Sequence, residues 1–165
     1  MSRLDSYIRR ICAQRDCLNL VAESIAGHDG LILELGLGNG RTFDHLRELF
    51  PTQEIFVFER MVAAHPDCIP DAPHLIEGDI RQTLPSALEK WGRRILFVHA
   101  DLGSGNPRVD EALAAFVATL LPPYLLSQGM VLSDQDLSSG HWDEAELPPR
   151  ISPGRYFMYR SRTGL

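Results

Sequence analysis

Apolar positions along this chain change period from segment to segment, and the changes mark out its elements. Leu4, Tyr7, Ile8, Ile11 and Cys12 recur at helical spacing, and a second helical stretch, residues 18–26, carries Leu18, Val21 and Ile25 on one side with Gly27 placed as a stop. Leu31, Ile32 and Leu33, between Gly30 and Gly36, form a run too short for a helix and suited to a strand buried on both faces. A helix is predicted over 41–50, closed by Pro51, then a strand over 54–59 (EIFVFE), a short helix over 60–68 and a third strand over 74–77. The pattern continues with a helix over 83–91, where Pro85 belongs in the first turn, and a fourth strand over 94–100. A helix over 109–121 with Asp110 and Glu111 near its start and a fifth strand over 130–133 complete the run.

Alternating strand and helix means a parallel sheet covered by helices on both faces, a doubly wound α/β fold. In such folds ligands sit outside the carboxyl ends of the strands, near the point where strand order reverses, so the residues after each strand are the informative ones. Past Ser133 the grammar breaks: residues 134–149 are polar, acidic and proline-rich and read as a loop or flap, and 155–160 (RYFMYR) as a final antiparallel strand at the far side of the sheet.

The chain has 165 residues, one domain's worth, of which 44% are hydrophobic and 23% charged, which excludes a disordered or fibrous chain. No apolar run approaches the ~18 residues that cross a bilayer, and the polar start is unlike a signal peptide, so a cytoplasmic protein is expected. Cys12, Cys17 and Cys68 are odd in number and fit no zinc spacing; they are read as buried or free thiols. The net charge of −6 disfavours DNA, although arginines gather at both ends of the sequence and leave RNA open.

The strongest local signal is Glu34-Leu35-Gly36-Leu37-Gly38-Asn39-Gly40, directly after the first strand and before the helix at Arg41. Glycines let a backbone lie against a ligand, and a helix N-terminus offers free N–H groups to a carboxylate or phosphate. The dinucleotide fingerprint GxGxxG needs glycine at position 41, where this chain has arginine, and a substrate domain for which there is no length, so a nicotinamide-dependent oxidoreductase ranks low.

The string E-x-G-x-G-x-G resembles the first motif of the class I S-adenosylmethionine-dependent methyltransferases, and the similarity extends over about residues 31–134. It implies a Rossmann-like fold, S-adenosyl-L-methionine as cofactor and a small-molecule acceptor. Glu59, closing the second strand in FVFER, takes the place of the acid that holds the ribose hydroxyls; Glu77-Gly78-Asp79-Ile80 looks like the adenine-binding segment. Together the resemblance assigns cofactor contacts to Glu34, Gly36, Leu37, Gly38, Asn39, Gly40, Glu59, Arg60, Asp79, Ile80 and Asp101. At the end of the fourth strand His99 and Asp101 point to one face and are the candidate catalytic residues.

No metal is expected in the favoured reading. Gly129 to Gln135 also resembles the fifth-strand end of metal-dependent O-methyltransferases, and the alternative there is magnesium on Asp101, Asp134 and Gln135. His141, Asp143, Glu144 and Glu146 read as a solvated acidic loop, and Trp142 as either a cover over substrate or a packing anchor. No NPPY-type motif follows the fourth strand, which keeps a non-catalytic cofactor-binding module as the alternative function. A core this bare closes its site with the N-terminal helices, the 134–149 loop or another subunit, and a homo-oligomer is expected.

Overall fold

In the computed structural model, which describes residues 2–138 and 140–162, the apolar runs become the middle of a sheet. Chain order is α1 (Arg3–Ser24), β1 (Leu31–Leu35), α2 (Arg41–Leu49), β2 (Ile55–Glu59), β3 (Leu75–Glu77), α3 (Ile80–Trp91), β4 (Ile95–Ala100), α4 (Pro107–Leu120), β5 (Leu125–Ser133), β6 (Trp142–Glu144) and β7 (Phe157–Ser161). The seven strands lie in the order β3-β2-β1-β4-β5-β7-β6, and only β7 runs antiparallel to its neighbours. This is the Rossmann-like methyltransferase architecture. Strand order reverses between β1 and β4, which opens a crevice at their carboxyl ends.

Every residue of β1 and β4 is buried, because each faces helices on one side or the other. Ile32, Val57, Phe97 and Leu132 face α1 and α2, meeting Cys17, Leu18, Val21, Phe43 and Leu46. Leu33, Leu35, Phe58, Val98 and Val131 face α3 and α4, meeting Leu84, Leu88, Ala114 and Val117. Truncating any of these leucines to alanine costs about 2–5 kcal/mol.

Several local readings change. The two N-terminal helices are one: nothing between Arg3 and Ser24 breaks a helix, and the polar run Gln14-Arg15-Asp16 continues it. A capping box fixes its start, with the Ser2 hydroxyl accepting from Asp5 N and the Asp5 carboxylate from Ser2 N. Only its second half is well buried, through Ala13, Gln14, Cys17, Leu18 and Val21. The segment 60–68 holds only a 3-10 turn at Pro66–Cys68, because Pro66 lacks an N–H and disfavours helical backbone at His65, which is extended at φ −60° and ψ 138°. Asp79 caps α3 earlier than expected by accepting from Arg81 N, so Pro85 falls beyond the first turn.

A further change concerns the polar stretch 134–149, which contains β6. Trp142 there is 4% exposed; its Nε1 donates to the Leu137 carbonyl at 2.8 Å, and its ring lies 5.4 Å from that of Tyr159. It packs as an anchor between the 134–149 stretch and the sheet. Consequently β7 lies inside the sheet, between β5 and β6, instead of at its margin. The fifth strand also starts earlier, at Leu125, with a register shift against β4 that leaves the segment 126–129 opposite little more than Leu96.

Candidate cofactor-binding site

Two cavities open at the carboxyl ends of the strands, and Gly36 lines both. The first, about 310 Å³, lies under α1 and is lined by Tyr7, Arg10, Gln14, Arg15, Gly36, Leu37, Gly38, Asn39, Arg41 and Asp101 among others. The second, about 220 Å³, lies toward α3 and α4 and includes Phe58, Glu59, Arg60, Asp79, Ile80 and Leu102. Gly36 is the ridge between them because nothing larger fits: its φ is +93°, and a Cβ there would stand 2.5 Å from the Asp101 carbonyl oxygen. Gly40, φ +84°, is the left-handed N-cap of α2 and packs against Cys68, so it shapes the turn without lining either cavity.

Glu59 occupies the predicted position, and its carboxylate already does local work. Oε2 accepts from Leu37 N (2.8 Å) and Gly38 N (3.1 Å), while Oε1 accepts from Arg60 N (2.7 Å) and Met61 N (3.0 Å). One side chain thus ties the glycine loop to the turn after β2. Asp79 is likewise engaged, as the exposed cap of α3 at the mouth of the second cavity.

Under the first cavity lies a buried polar chain. The parallel register sets Glu34 beside His99, and Glu34 Oε2 meets His99 Nδ1 at 2.7 Å with both side chains within 1% of complete burial. Gln14 Nε2 approaches His99 Nε2 at 3.4 Å and donates to Asp101 Oδ2 at 3.0 Å, and Arg10 lies 3.6 Å from Asp101 Oδ1. In the neutral ring, a tautomer protonated on Nδ1 faces Glu34 with its donor and the Gln14 amide with its acceptor. Burial works against a charged imidazole, but Glu34, Asp101 and Asp134 outweigh it and hold the His99 pKa above the ordinary value. Burial likewise pushes the Glu34 carboxyl up, with His99 opposing.

Glu34 and His99 line neither cavity; they meet each other, and His99 meets Gln14, which donates to Asp101. Asp101 alone of the candidate catalytic pair reaches the open space. The residues missed by sequence reading are Gln14 and Tyr156. Gln14 was invisible because its partners lie 85 and 87 residues away. The Tyr156 hydroxyl is buried without a hydrogen-bond partner among the described residues; burial raises its pKa, and Asp101 and Arg10 both lie within electrostatic reach.

Asp134 and Gln135 are engaged in local hydrogen bonds. Asp134 Oδ1 accepts from Leu102 N and Oδ2 from Gly103 N, at 3.1 Å each, and Gln135 turns its Nε2, a donor, onto Asp134 Oδ2 at 3.0 Å. These contacts hold the loop after β4, and burial raises the Asp134 pKa. Among the described residues no three His, Cys, Asp or Glu side chains converge as metal ligands. In the acidic loop, Asp143 pairs with Arg162 at 2.8 Å.

A family model described as S-adenosyl-L-methionine methyltransferase matches residues 1–161. The chain belongs to that family. Its similarity to the crystal structure of an S-adenosyl-L-methionine methyl transferase from Silicibacter pomeroyi DSS-3 is close: 44% identity, TM-score 0.90, covering 97% of this chain and 98% of that one. The antibiotic-resistance methyltransferase Kmr (12% identity, TM-score 0.55, 86% of this chain and 91% of that one) shares the fold. So does a putative caffeoyl-CoA O-methyltransferase from Staphylococcus aureus (13%, 0.55, 87% and 82%). None of the curated proteins matches. The cofactor of this methyltransferase is S-adenosyl-L-methionine, and no helix among its described residues is long and apolar enough to cross a membrane.

Proposed function

We propose that the cofactor lies across the Gly36 ridge, its adenosine in the cavity beside Glu59, Arg60, Asp79 and Ile80 and its methionyl end beside Leu37, Gly38 and Asn39, and that a small molecule receives the methyl group under α1. The observation that carries this reading is the meeting of two cavities at one glycine, with an acid at the end of β2 and another at the end of β3 on the same side. A space of about 310 Å³ suits a small acceptor, being near the lower end of ligand pockets.

When bound, the cofactor supplies a methyl group on a positively charged sulfur, which keeps the bonding electron pair and becomes a neutral thioether as the acceptor's lone pair takes the carbon. The chain's part is placement and desolvation. Asp101, pinned by Gln14 and Arg10, faces the cavity as the group that orients the acceptor and takes its proton where it has one to lose. Glu59 has each oxygen already accepting two N–H groups, so ribose hydroxyls bind by replacing the Leu37 and Gly38 N–H groups, which are then free to face the methionyl end.

The same reading includes self-association. Leu4, Tyr7 and Ile8 stand 65%, 46% and 50% exposed on the outer face of α1 beside the cavity, an apolar ridge that a second copy would cover. Light scattering behind size exclusion tests it: a dimer disrupted by Ile8→Glu supports the interface, and a monomer refutes it.

Titration calorimetry with S-adenosylmethionine, S-adenosylhomocysteine and NAD tests the cofactor site. The two adenosyl ligands bind, NAD does not, and Gly38→Arg, which projects a side chain from a position now open, abolishes binding. Binding undiminished by Gly38→Arg would remove the cofactor from this loop.

A further inference from the structure

The cavity under α1 has a charge opposite to that of the molecule. The protein as a whole carries −6, yet Arg10, Arg15 and Arg41 line this cavity against the single carboxylate of Asp101. The other cofactor cavity is balanced, with Arg60 and Arg81 against Glu59 and Asp79. The groove between the C-terminal half of α1 and β6 is acidic, through Glu23, Glu144 and Glu146 against Arg160.

The arginines are only partly neutralised. Arg10 reaches Asp101 at 3.6 Å. Arg15 directs Nε and Nη2 to Asp16, which leaves its Nη1 edge uncommitted. Arg41 donates from Nη1 to the Tyr7 hydroxyl at 2.7 Å, a neutral partner, so its charge stays uncompensated. Even with Asp16 counted, three arginines face two carboxylates, so positive charge is in excess.

The cofactor does not supply the missing negative charge. The carboxylate at its methionyl end can pair with one arginine of this cavity, but the neighbouring ammonium offsets it in net charge and the sulfonium adds a positive charge. Seating it there adds positive charge to the excess of one that remains once Arg10 is set against Asp101 and Arg15 against Asp16, and at a half-enclosed site that excess favours an anion. A second ligand bearing negative charge removes it.

We infer that the methyl acceptor is an anionic small molecule, a carboxylate or phosphate ester, whose charged group is held at the mouth of the α1 cavity by Arg15 and Arg41 while its nucleophilic atom faces Asp101. Arginine suits both anions, since its planar fork pairs with two oxygens at once. The inference rests on the placement of the acceptor under α1, and its test separates the two claims.

The probes are benzoate and phenyl phosphate, with benzamide and phenol as neutral counterparts of similar shape, titrated by calorimetry into protein saturated with S-adenosylhomocysteine. Both anions bind tighter than their neutral counterparts by about tenfold, as expected for a charge-assisted pair at a half-enclosed site. Arg15→Gln and Arg41→Gln, both at exposed positions on regular helices, each reduce anion affinity by about three- to fivefold, the range of an exposed ion pair. The neutral probes and S-adenosylhomocysteine retain their affinities in both variants.

Equal binding of charged and neutral probes, an anion preference that survives the double variant, or no binding of any probe at about 10 mM overturns the inference. Failure of S-adenosylhomocysteine itself to bind would instead sink the cofactor site on which it rests.

Discussion

Glu59→Gln is the substitution for which the geometry gives the sharpest figure. The carboxylate receives four backbone N–H groups, two on each oxygen, from both sides of the glycine loop. An amide of the same size keeps one oxygen and offers two hydrogens where the other oxygen was. Whichever way it turns, two N–H donors lose their acceptor and face another donor. A hydrogen bond to a charged group contributes about 1.5–3 kcal/mol, and since Gly38, Arg60 and Met61 are exposed, the lower figure applies to each. The loss is about 3 kcal/mol, which for a domain of this size lowers Tm by about 6–12 °C. Scanning calorimetry without ligand reads it directly, and the same scans with S-adenosylhomocysteine show a smaller ligand-induced rise in the variant, because ribose loses one of its acceptors. A ligand-free Tm within about 2 °C of wild type would show that Glu59 does not hold the loop, and the account of the cofactor exchanging with Leu37 and Gly38 would fall with it.

Other consequences follow from the same contacts. Gly36→Ala costs about 2–4 kcal/mol, combining left-handed backbone strain with a Cβ driven onto the Asp101 carbonyl, whereas Gly38→Ala, whose Cβ meets nothing within 4 Å, costs about 1 kcal/mol; equal losses in urea unfolding would refute the ridge. Glu34 and His99 both bind protons more tightly when folded, so stability is complete below their ordinary values of 4.5 and 6.5 and is lost as pH rises through the raised folded-state values. Thermal scans at increasing pH above 6.5 therefore show a falling Tm in wild type and a flatter profile in Glu34→Gln; parallel profiles would contradict the pairing. Burial pushes the Cys17 thiol up to about 12, so at pH 8 iodoacetamide labels exposed Cys12 and spares Cys17, as peptide mass mapping would report; prompt labelling of Cys17 in native protein would place it nearer the surface.

The sheet was legible wherever a strand is buried on both faces, because an unbroken apolar run such as Leu31–Leu33 or Ile95–Val98 has no other economical reading. The glycine loop was legible because its residues act where they stand in the sequence. Trp142–Glu144 was not, since a three-residue strand at an edge carries one buried side chain and no alternation. Gln14 and Tyr156 escaped for a different reason: a lone glutamine in a helix and a tyrosine in an apolar stretch look ordinary until folding brings both near Asp101 at the end of β4. Glu34, read as a cofactor contact, and His99, read as a candidate catalytic residue, are buried against each other beside the cavity, a distinction from lining it that spacing along a strand does not carry.

The measurement that bears most directly on the whole account is a crystal structure of the protein with S-adenosylhomocysteine. The account predicts adenine in the cavity beside Asp79 and Ile80, ribose on Glu59 with the Leu37 and Gly38 N–H groups released, and the sulfur crossing Gly36 toward Asp101 under α1. A ligand whose sulfur points away from the α1 cavity, or whose adenine occupies it, would contradict it.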